Sequence, residues 1–326
     1  MKVVVLYDVM KETPSGVLGW AYYKRAKSLQ DHAPPDIQVD ILSASDFRQA
    51  YDSEKMRALD LVFLIEYTHV GFVRQYIDWI NPNVKLVVSH NSDRHRRHEF
   101  WYESLRWADF VIANNQCVFD FFERPARTCA ISNGVDTRWW NVQVPIEDRP
   151  HRVLWCGSSN PKKQKGYEIL MEAKPKLEAL GFECSFRPID DINERVVFPT
   201  DKQAEWYQSG SYVVCTSLSE ATPGTSLEGM ACGCALVSTH VGAAKELPDD
   251  SYVRIERNAK DLVRGLREAR ERREELSERG ACLMANRWSY GKPGERANFF
   301  FAVFRALHEG REITPFSYAE VDWRDI

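Results

Sequence analysis

Short apolar runs alternate with longer amphipathic segments along the first half of the chain. The runs have the length and residue types of strands, and the segments between them place apolar residues at helical spacing. The predicted strands are residues 3–7, 37–42, 61–66, 85–89 and 110–113, and the predicted helices are residues 17–30, 70–80 and 116–122. Strands separated by helices predict a parallel, doubly wound sheet with a crevice at the carboxyl ends of its strands.

The same pattern restarts after residue 150. The predicted strands here are residues 152–156, 182–187, 195–198, 212–215 and 234–238, and the predicted helices are residues 166–180, 202–208 and 225–232. The segment 141–150 contains two prolines and mixed charge, as linkers do. Because 326 residues exceed what one core usually supports, we predict domains at 1–145 and 146–290, with a further segment at 291–326.

Two segments near the C-terminus have contrasting helical patterns. Residues 258–286 are rich in charge, with apolar positions near helical spacing, which predicts a solvated helix covering the second sheet. Residues 295–307 are apolar on too many sides for a free tail, so this helix is expected to pack against the protein. Peripheral contact with a membrane surface is the alternative for it.

Composition changes this picture little. The net charge is −4, with both signs spread along the chain, and nothing resembles a basic or acidic tail that would name a partner. No apolar run approaches the roughly 20 residues of a membrane span, so we expect no transmembrane segment. The eight cysteines are scattered without a CxxC pair, and the N-terminal run is too short for a signal peptide. These features predict reduced thiols and a cytoplasmic protein.

The chemistry is concentrated in residues 216–246, a predicted loop, helix and strand that follow the strand 212–215. The first N–H groups of a helix in such a unit point into the crevice at the edge of the sheet. The amides of Thr225 and Ser226 are therefore expected to bind a phosphate without a metal. Two carboxylates flank this position, Glu220 before the helix and Glu228 in its first turn, with seven residues between them.

These residues resemble the donor-binding signature of the retaining family 4 glycosyltransferases, which have the GT-B fold. The resemblance rests on several motifs, each weak alone, that occur in the family's order: Glu220 to Glu228 followed by Gly-Met-Ala-Cys-Gly, Val241-Gly242, residues 131–137, Lys165-Gly166, and His90. It spans most of residues 1–250. It implies two Rossmann-like domains facing each other across a cleft, the first binding the acceptor and the second the nucleotide sugar, with the C-terminal helix crossing back to the first.

The resemblance also implies roles for residues of the second domain. Lys165, together with the Thr225 and Ser226 amides, would bind the donor diphosphate. Glu228 would bind the ribose, and Glu220 would orient the transferred sugar. The activity implied is metal-independent transfer, with retention, from a UDP- or GDP-sugar to an acceptor hydroxyl, without a cofactor. The Asp-x-Asp motif that holds a metal in the other large glycosyltransferase fold is absent from the sequence.

Two parts of the chain depart from the family pattern. Where the family has an arginine after Gly157, this chain has Ser158, so either Lys162 or Lys163 supplies the second positive charge or the diphosphate is held more weakly. In the loop after the first strand Gly16 is the best match to a glycine that approaches the donor, but the family's glycine pair is missing.

On the acceptor side, the resemblance implies that His90 contacts the transferred sugar. Directly after it, Arg94, Arg96 and Arg97 lie in the densest basic cluster of the chain. Guanidinium groups suit phosphate oxygens, so this cluster is a candidate contact for a phosphate-bearing acceptor. A solvated helix start is the other interpretation of this cluster. The acceptor stays open among a glycan, a lipid-linked sugar, a small molecule and, less readily, a nucleic acid.

Other interpretations of the same residues remain. Thr225 and Glu228 fit a capping box, in which Glu228 merely turns back to the Thr225 amide, and Glu220 fits a solvated loop acid.

Two other classes of protein share parts of the pattern. A noncatalytic nucleotide or polyanion binder would keep the helix-end site, whereas a nicotinamide-dependent oxidoreductase would need a GxGxxG fingerprint that the sequence lacks.

Overall fold

The computed structural model describes residues 1–7, 12–13, 16–17, 21–65, 69–90, 98–160, 164–188, 201–292 and 294–326. The chain forms two compact units. The first unit combines Met1–Gly134 with Glu295–Ile326, and the second is Val135–Gly294. Each unit is built around its own parallel sheet.

The described strands and helices of the first unit follow the predicted alternation. Its strands are β1 (Lys2–Tyr7), β2 (Glu12–Thr13), β3 (Gly16–Val17), β4 (Gln38–Ser43), β5 (Leu61–Leu64), β6 (Lys85–His90), β7 (Phe110–Ala113), β8 (Thr128–Ala130) and β14 (Phe316–Ser317). Its helices are α1 (Ala21–Asp31), α2 (Phe47–Ala50), α3 (Ser53–Arg57), α4 (Val70–Ile80), α5 (His98–Trp107), α6 (Gln116–Phe121) and α12 (Arg296–His308).

Seven of these strands form one sheet in the order β14-β8-β7-β6-β5-β1-β4, and every described pairing in it is parallel. The central strands are apolar on both faces because helices cover both, which is the pattern of doubly wound sheets. Strands β2 and β3 form a separate two-stranded antiparallel ribbon.

The C-terminal helix belongs to the first unit, as the GT-B prediction required. Phe300 and Phe304 of α12 pack on Phe63 of β5, with ring centroids 5.9 and 5.3 Å apart. The guanidinium of Arg25 lies over the Phe63 and Phe300 rings and donates a hydrogen bond to the Ser89 hydroxyl at 2.7 Å. The apolar character of α12 is therefore explained by burial in this core.

The second unit repeats the strand and helix alternation. Its strands are β9 (Arg152–Gly157), β10 (Glu183–Pro188), β11 (Tyr212–Cys215), β12 (Ala235–Thr239) and β13 (Val253–Ile255). Its helices are α7 (Tyr167–Ala179), α8 (Asp201–Gln208), α9 (Gly224–Ala231), α10 (Ala259–Glu271) and α11 (Arg273–Leu283), with a π-helical turn at Met284–Trp288 and 3-10 turns at Ile146–Asp148 and Gly242–Glu246. The predicted strand 195–198 lies outside the described residues.

The five strands pair in parallel in the order β10-β9-β11-β12-β13. Helices α8 and α9 pack with Leu154 and Val213 on one face of the sheet, whereas α7 and α10 pack with Val153 and Tyr212 on the other. Two Rossmann-like parallel sheets are thus present, as predicted. The charge-rich segment 258–286 is two helices rather than one, and its apolar residues are buried against the sheet.

The segment 141–150, for which we predicted a linker, is instead part of the second unit. Val135 already pairs with Ser289 there, and Trp140 is buried in its core. Arg149 is only 3% exposed and holds the segment in place. Its guanidinium donates hydrogen bonds to the Val144 carbonyl, the Gln208 side chain at 2.7 Å and the Cys232 carbonyl at 2.8 Å. The prolines therefore mark turns within a packed segment.

Among the described helices, none combines the length and the apolar character needed to cross a bilayer.

Replacing Arg149 by methionine is expected to destabilise the second unit. The substitution keeps much of the side-chain volume but leaves the Val144 and Cys232 carbonyls without this donor, whereas the Gln208 side-chain oxygen keeps the Gln143 and Val144 amides as donors; each buried polar group left unpaired costs about 1–3 kcal/mol. We expect a loss of at least about 2 kcal/mol in the free energy of unfolding, measured by urea denaturation. The control is Arg264→Met, which breaks exposed ion pairs with Asp261 and Glu268 and an exposed hydrogen bond to the Arg254 carbonyl, and should cost less than about 1 kcal/mol. Equal effects in both variants would contradict the role given to Arg149.

Candidate active site

The candidate site lies where β9, β11 and β12 end. These three strands are neighbours in a parallel sheet, so the loops that follow them meet at one edge. The loop after β11 runs from Thr216 to Pro223 and leads into α9. The loop after β9 leads to Lys165 and Gly166 at the start of α7, and the loop after β12 contains Gly242.

Lys165 and Glu220 come from two of these loops and form an ion pair. The Lys165 ammonium group contacts Oε1 of Glu220, and the Ser217 hydroxyl donates to the same oxygen at 2.6 Å. The Glu220 side chain is 14% exposed and that of Lys165 is 31% exposed, so both retain access to solvent. Two of the predicted donor-binding residues are thus brought together, and Glu220 is more than a solvated loop acid.

The loops after β9 and β11 approach each other closely at Gly166. This residue has φ of +77°, and a Cβ built on it would lie 2.3 Å from the Thr216 carbonyl oxygen. The Thr216 hydroxyl donates to the carbonyl of Lys165 at 2.9 Å, and the Leu218 amide donates to the carbonyl of Gln164 at 3.0 Å. Glycine is therefore required after Lys165 for both conformation and space.

The loop after β12 closes on the other side of Glu220. Gly242 has φ of +51°, and a Cβ there would lie 2.2 Å from the Glu220 carbonyl oxygen. The Ala243 amide donates to the Ala221 carbonyl at 2.8 Å, and the Thr239 hydroxyl donates to the Ser217 carbonyl at 2.7 Å. The backbone that carries Glu220 is consequently fixed from two sides.

Helix α9 begins at Gly224, one residue before the predicted start, with Pro223 as its N-cap. The predicted pair of open amides is therefore reduced to one. The Ser226 amide donates to the Pro223 carbonyl at 2.9 Å, whereas the Thr225 amide has no partner among the described hydrogen bonds. A Cβ added to Gly224 would meet no described atom within 4 Å, so the first residue of the helix is unpacked on that side.

Glu228 is 8% exposed and points toward α8. Its Oε2 accepts hydrogen bonds from the Tyr207 hydroxyl at 3.2 Å and from the Gln203 amide at 3.3 Å. Burial, together with the nearby Glu228 carboxylate, raises the pKa of Tyr207 well above its ordinary value, so this hydroxyl stays a donor. The capping-box interpretation is wrong, because Pro223 and not Thr225 is the N-cap.

Gln203 and Tyr207 were not singled out from the sequence. They lie four residues apart on α8 and therefore on one face of that helix. Two polar residues at this spacing could have been recognised in the sequence as a pair of donors on one helix face. The spacing does not show that Glu228 is the carboxylate that accepts both hydrogen bonds. The contact depends on the packing of α8 beside α9.

The remaining predicted residues of the first unit are placed as follows. His90 is the last residue of β6, is buried, and packs edge-on against Phe122 with ring centroids 5.7 Å apart. Gly16 pairs with Thr13 in the two-stranded ribbon. Three predicted acceptor residues, Arg94, Arg96 and Arg97, lie outside the described residues, as do Lys162 and Lys163 of the second unit.

Ser158, which stands in the place of the expected arginine, is 8% exposed. Its hydroxyl accepts a hydrogen bond from the Asn160 amide at 3.3 Å. A short neutral side chain with a local turn contact does not supply the positive charge that the family pattern has at this position.

Known proteins are similar to this chain in part of the sequence and in the fold. Residues 150–271, which contain Lys165, Glu220 and Glu228, match the family model described as glycosyl transferases group 1. No curated protein has a sequence that matches the chain.

Several solved structures have the same fold at low sequence identity. A sucrose-phosphate synthase from Thermosynechococcus elongatus is 13% identical, with a TM-score of 0.68 over 95% of this chain and 99% of that one. HepE of Anabaena, solved in complex with UDP, is 15% identical, with a TM-score of 0.65 over 93% and 100% of the two chains.

A third example is the catalytic domain of starch synthase IV from Arabidopsis thaliana, solved with ADP and acarbose. It is 12% identical, with a TM-score of 0.64 over 94% of this chain and 99% of that one. At these identities the likenesses establish the fold alone. The chain is a glycosyltransferase with the GT-B fold, and its residues 150–271 match the group 1 glycosyl transferases.

Proposed function

We propose that this protein transfers a sugar from a nucleotide diphosphate sugar to an acceptor hydroxyl, without a metal and with retention of the anomeric configuration. The observation that supports this most directly is the Lys165–Glu220 ion pair held at the same sheet edge as the open N-terminus of α9. A cation, a free amide and a carboxylate at one edge suit the diphosphate and the sugar hydroxyls of such a donor.

The diphosphate gains negative charge as the bond to the sugar breaks. Lys165 and the Thr225 amide are proposed to stabilise that charge, because preorganised donors act without reorganising during the reaction. The dipole of α9 adds roughly 0.3–1 kcal/mol in the same direction. In this proposal the leaving phosphate also receives the proton of the acceptor, as retention in the resembled family implies.

Glu220 is proposed to orient the sugar. Both described contacts of its carboxylate, from Lys165 and from Ser217, are made to Oε1. The second oxygen, Oε2, has no partner among the described residues and is therefore available to accept hydrogen bonds from sugar hydroxyls. Fixing one oxygen while leaving the other open positions the ring without consuming the acceptor capacity that binding requires.

Glu228 is proposed to bind the ribose of the nucleotide, a role that carboxylates also take in dinucleotide sites. Tyr207 and Gln203 hold its Oε2 and thereby set the plane of the carboxylate. His90 stays a predicted contact to the transferred sugar, and Gly16, Arg94, Arg96 and Arg97 stay predictions as well.

Removing either member of the ion pair is expected to lower kcat/KM by tens to thousands of fold. Lys165→Ala removes a charge aimed at the leaving group, and Glu220→Gln weakens the orientation of the sugar; a single preorganised group contributes up to about 2.7–4 kcal/mol. The measurement is steady-state transfer with the best donor. Lys174→Ala is the matched control, since it removes a lysine from an exposed pair with Glu178 on α7. Turnover that is unchanged in folded Glu220→Gln would refute the assigned role.

Tyr207→Phe is expected to weaken recognition of the ribose without unfolding the protein. The substitution deletes only the hydroxyl that donates to Glu228, and a hydrogen bond to a charged group contributes about 1.5–3 kcal/mol. Donor KM should therefore rise about tenfold or more. The preference for the ribonucleotide over its 2′-deoxy counterpart should shrink at the same time. Tyr212→Phe, which loses a hydroxyl bonded to His151 at 2.8 Å, should leave that preference unchanged.

A thermal-shift panel of UDP, GDP, ADP and their sugars tests the class of donor. A ligand at 100 times its Kd stabilises the folded protein by about 2.7 kcal/mol, so a specific nucleotide should separate from the others. We expect one nucleotide diphosphate to bind, and its sugar to be transferred or hydrolysed equally well with and without EDTA. Binding without any turnover would favour the noncatalytic alternative, and activity abolished by EDTA would contradict a metal-independent mechanism.

A further inference from the structure

Ser158 stands where the family pattern has an arginine, and the two lysines offered as substitutes, Lys162 and Lys163, lie outside the described residues. Among the described residues at the candidate site so far, Lys165 is the cation available to a diphosphate, which carries two or more negative charges. Arg187, at the end of the edge strand β10, was not considered in the sequence analysis.

The strand register places Arg187 beside the start of the loop that contains Ser158. In the parallel pairing of β10 with β9, Arg187 is the partner of Cys156, and Pro188 is the partner of Gly157. Arg187 therefore lies at the carboxyl edge of the sheet, one strand away from the residue that precedes Gly157 and Ser158. This is the edge that carries Lys165, Glu220 and the start of α9.

The side chain also stands on the right face of the sheet. Residues two apart on a strand share a face, and Ser185 accepts a hydrogen bond at 3.0 Å from the indole of Trp206 on α8. The Arg187 guanidinium lies over the same Trp206 ring, 4.6 Å from its centroid. Arg187 consequently points to the α8 side, where Tyr207 holds Glu228.

Among the described residues, no acidic group faces the charge of Arg187. It is exposed, and no hydrogen bond or ion pair joins it to any described residue; the stacking on Trp206 is the contact that orients it. A guanidinium presents five N–H donors in a planar fork that matches phosphate oxygens. Stacking on an aromatic face fixes the plane of the fork while leaving those donors open.

We infer that Arg187 binds the phosphate groups of the donor nucleotide and supplies the positive charge that is missing at Ser158. This inference rests on the proposed function, since it names a further residue of the same donor site. The site then holds the phosphates by two cations, Arg187 near the end of β10 and Lys165 just before α7.

The test compares Arg187→Ala with Arg270→Ala by isothermal titration. The ligands are the nucleoside diphosphate that the thermal-shift panel selects, the corresponding monophosphate and the nucleoside itself. Arg270 is the matched control: it too is exposed and stacks on a ring, that of Phe182, without a described ion pair, but it donates to the Leu180 carbonyl. Arg187→Ala should raise Kd for the diphosphate tenfold or more, raise that for the monophosphate to a similar or smaller extent, and leave that for the nucleoside unchanged. Arg187→Lys should recover part of the loss, because it keeps the charge without the fork.

Each outcome separates this inference from the proposed function. Wild-type protein that binds no nucleoside diphosphate would remove the proposed function itself. Wild-type binding with an unchanged Kd in Arg187→Ala would overturn the role of Arg187 alone. A loss that is as large for the nucleoside as for the diphosphate would also overturn it, because the side chain would then act on the base or ribose. Equal thermal unfolding temperatures of the variants confirm that the comparison reports binding.

Discussion

The candidate site depends on two backbone contacts in which no residue larger than glycine fits. Gly166 places its Cα against the carbonyl of Thr216, and Gly242 places its Cα against the carbonyl of Glu220. Both have positive φ, which glycine adopts without the cost that other residues carry. These contacts bring the loops after β9 and β12 against the loop after β11. The ion pair between Lys165 and Glu220 follows from that approach, because each side chain is anchored beside a glycine contact.

Helix α9 is positioned by a close contact at a glycine and by a buried cation near its C-terminal end. Gly229 allows the helix to lie close to β11, since a Cβ there would meet Val213 at 2.8 Å. At the other end of the helix, the Arg149 guanidinium donates to the carbonyl of Cys232. A cation at the C-terminal end of a helix is favourable, and here it is buried. The helix is thus fixed at its middle and its end, while its first residue, Gly224, has no described atom within 4 Å of the position of a Cβ.

The two parallel sheets and part of the candidate site were predictable, because they depend on patterns within short stretches of the sequence. The alternation of apolar runs and helical segments predicted both parallel sheets, and α4 and β7 have the predicted bounds. The motif with Lys165-Gly166 and Glu220 predicted residues that the structure places together. Glycines such as Gly166 and Gly242 can be recognised in the sequence as parts of a motif, because their backbone conformations and close contacts exclude other residues.

The parts that sequence reasoning missed depend on contacts between distant segments. The burial of Arg149 reverses the linker prediction, yet a charged residue between two prolines has the composition of a solvated turn. Tyr207 and Gln203 acquire their role only when α8 packs beside α9. Arg187 acquires its position only from the register of β10 with β9. None of these pairings has a local pattern that periodicity or spacing would reveal.

The carboxylates of Glu220 and Glu228 are held in the same way, each by two donors to one oxygen. Glu220 is held through Oε1 by Lys165 and Ser217, and Glu228 is held through Oε2 by Tyr207 and Gln203. In each case two donors converge on one oxygen, so the orientation of the group is set before a ligand arrives. A carboxylate has acceptor capacity on both oxygens, and Oε2 of Glu220 has no partner among the described residues. In the proposed function, a sugar hydroxyl that binds to this oxygen adds a hydrogen bond without breaking the ones that fix the geometry, which is the condition under which a polar site is preorganised.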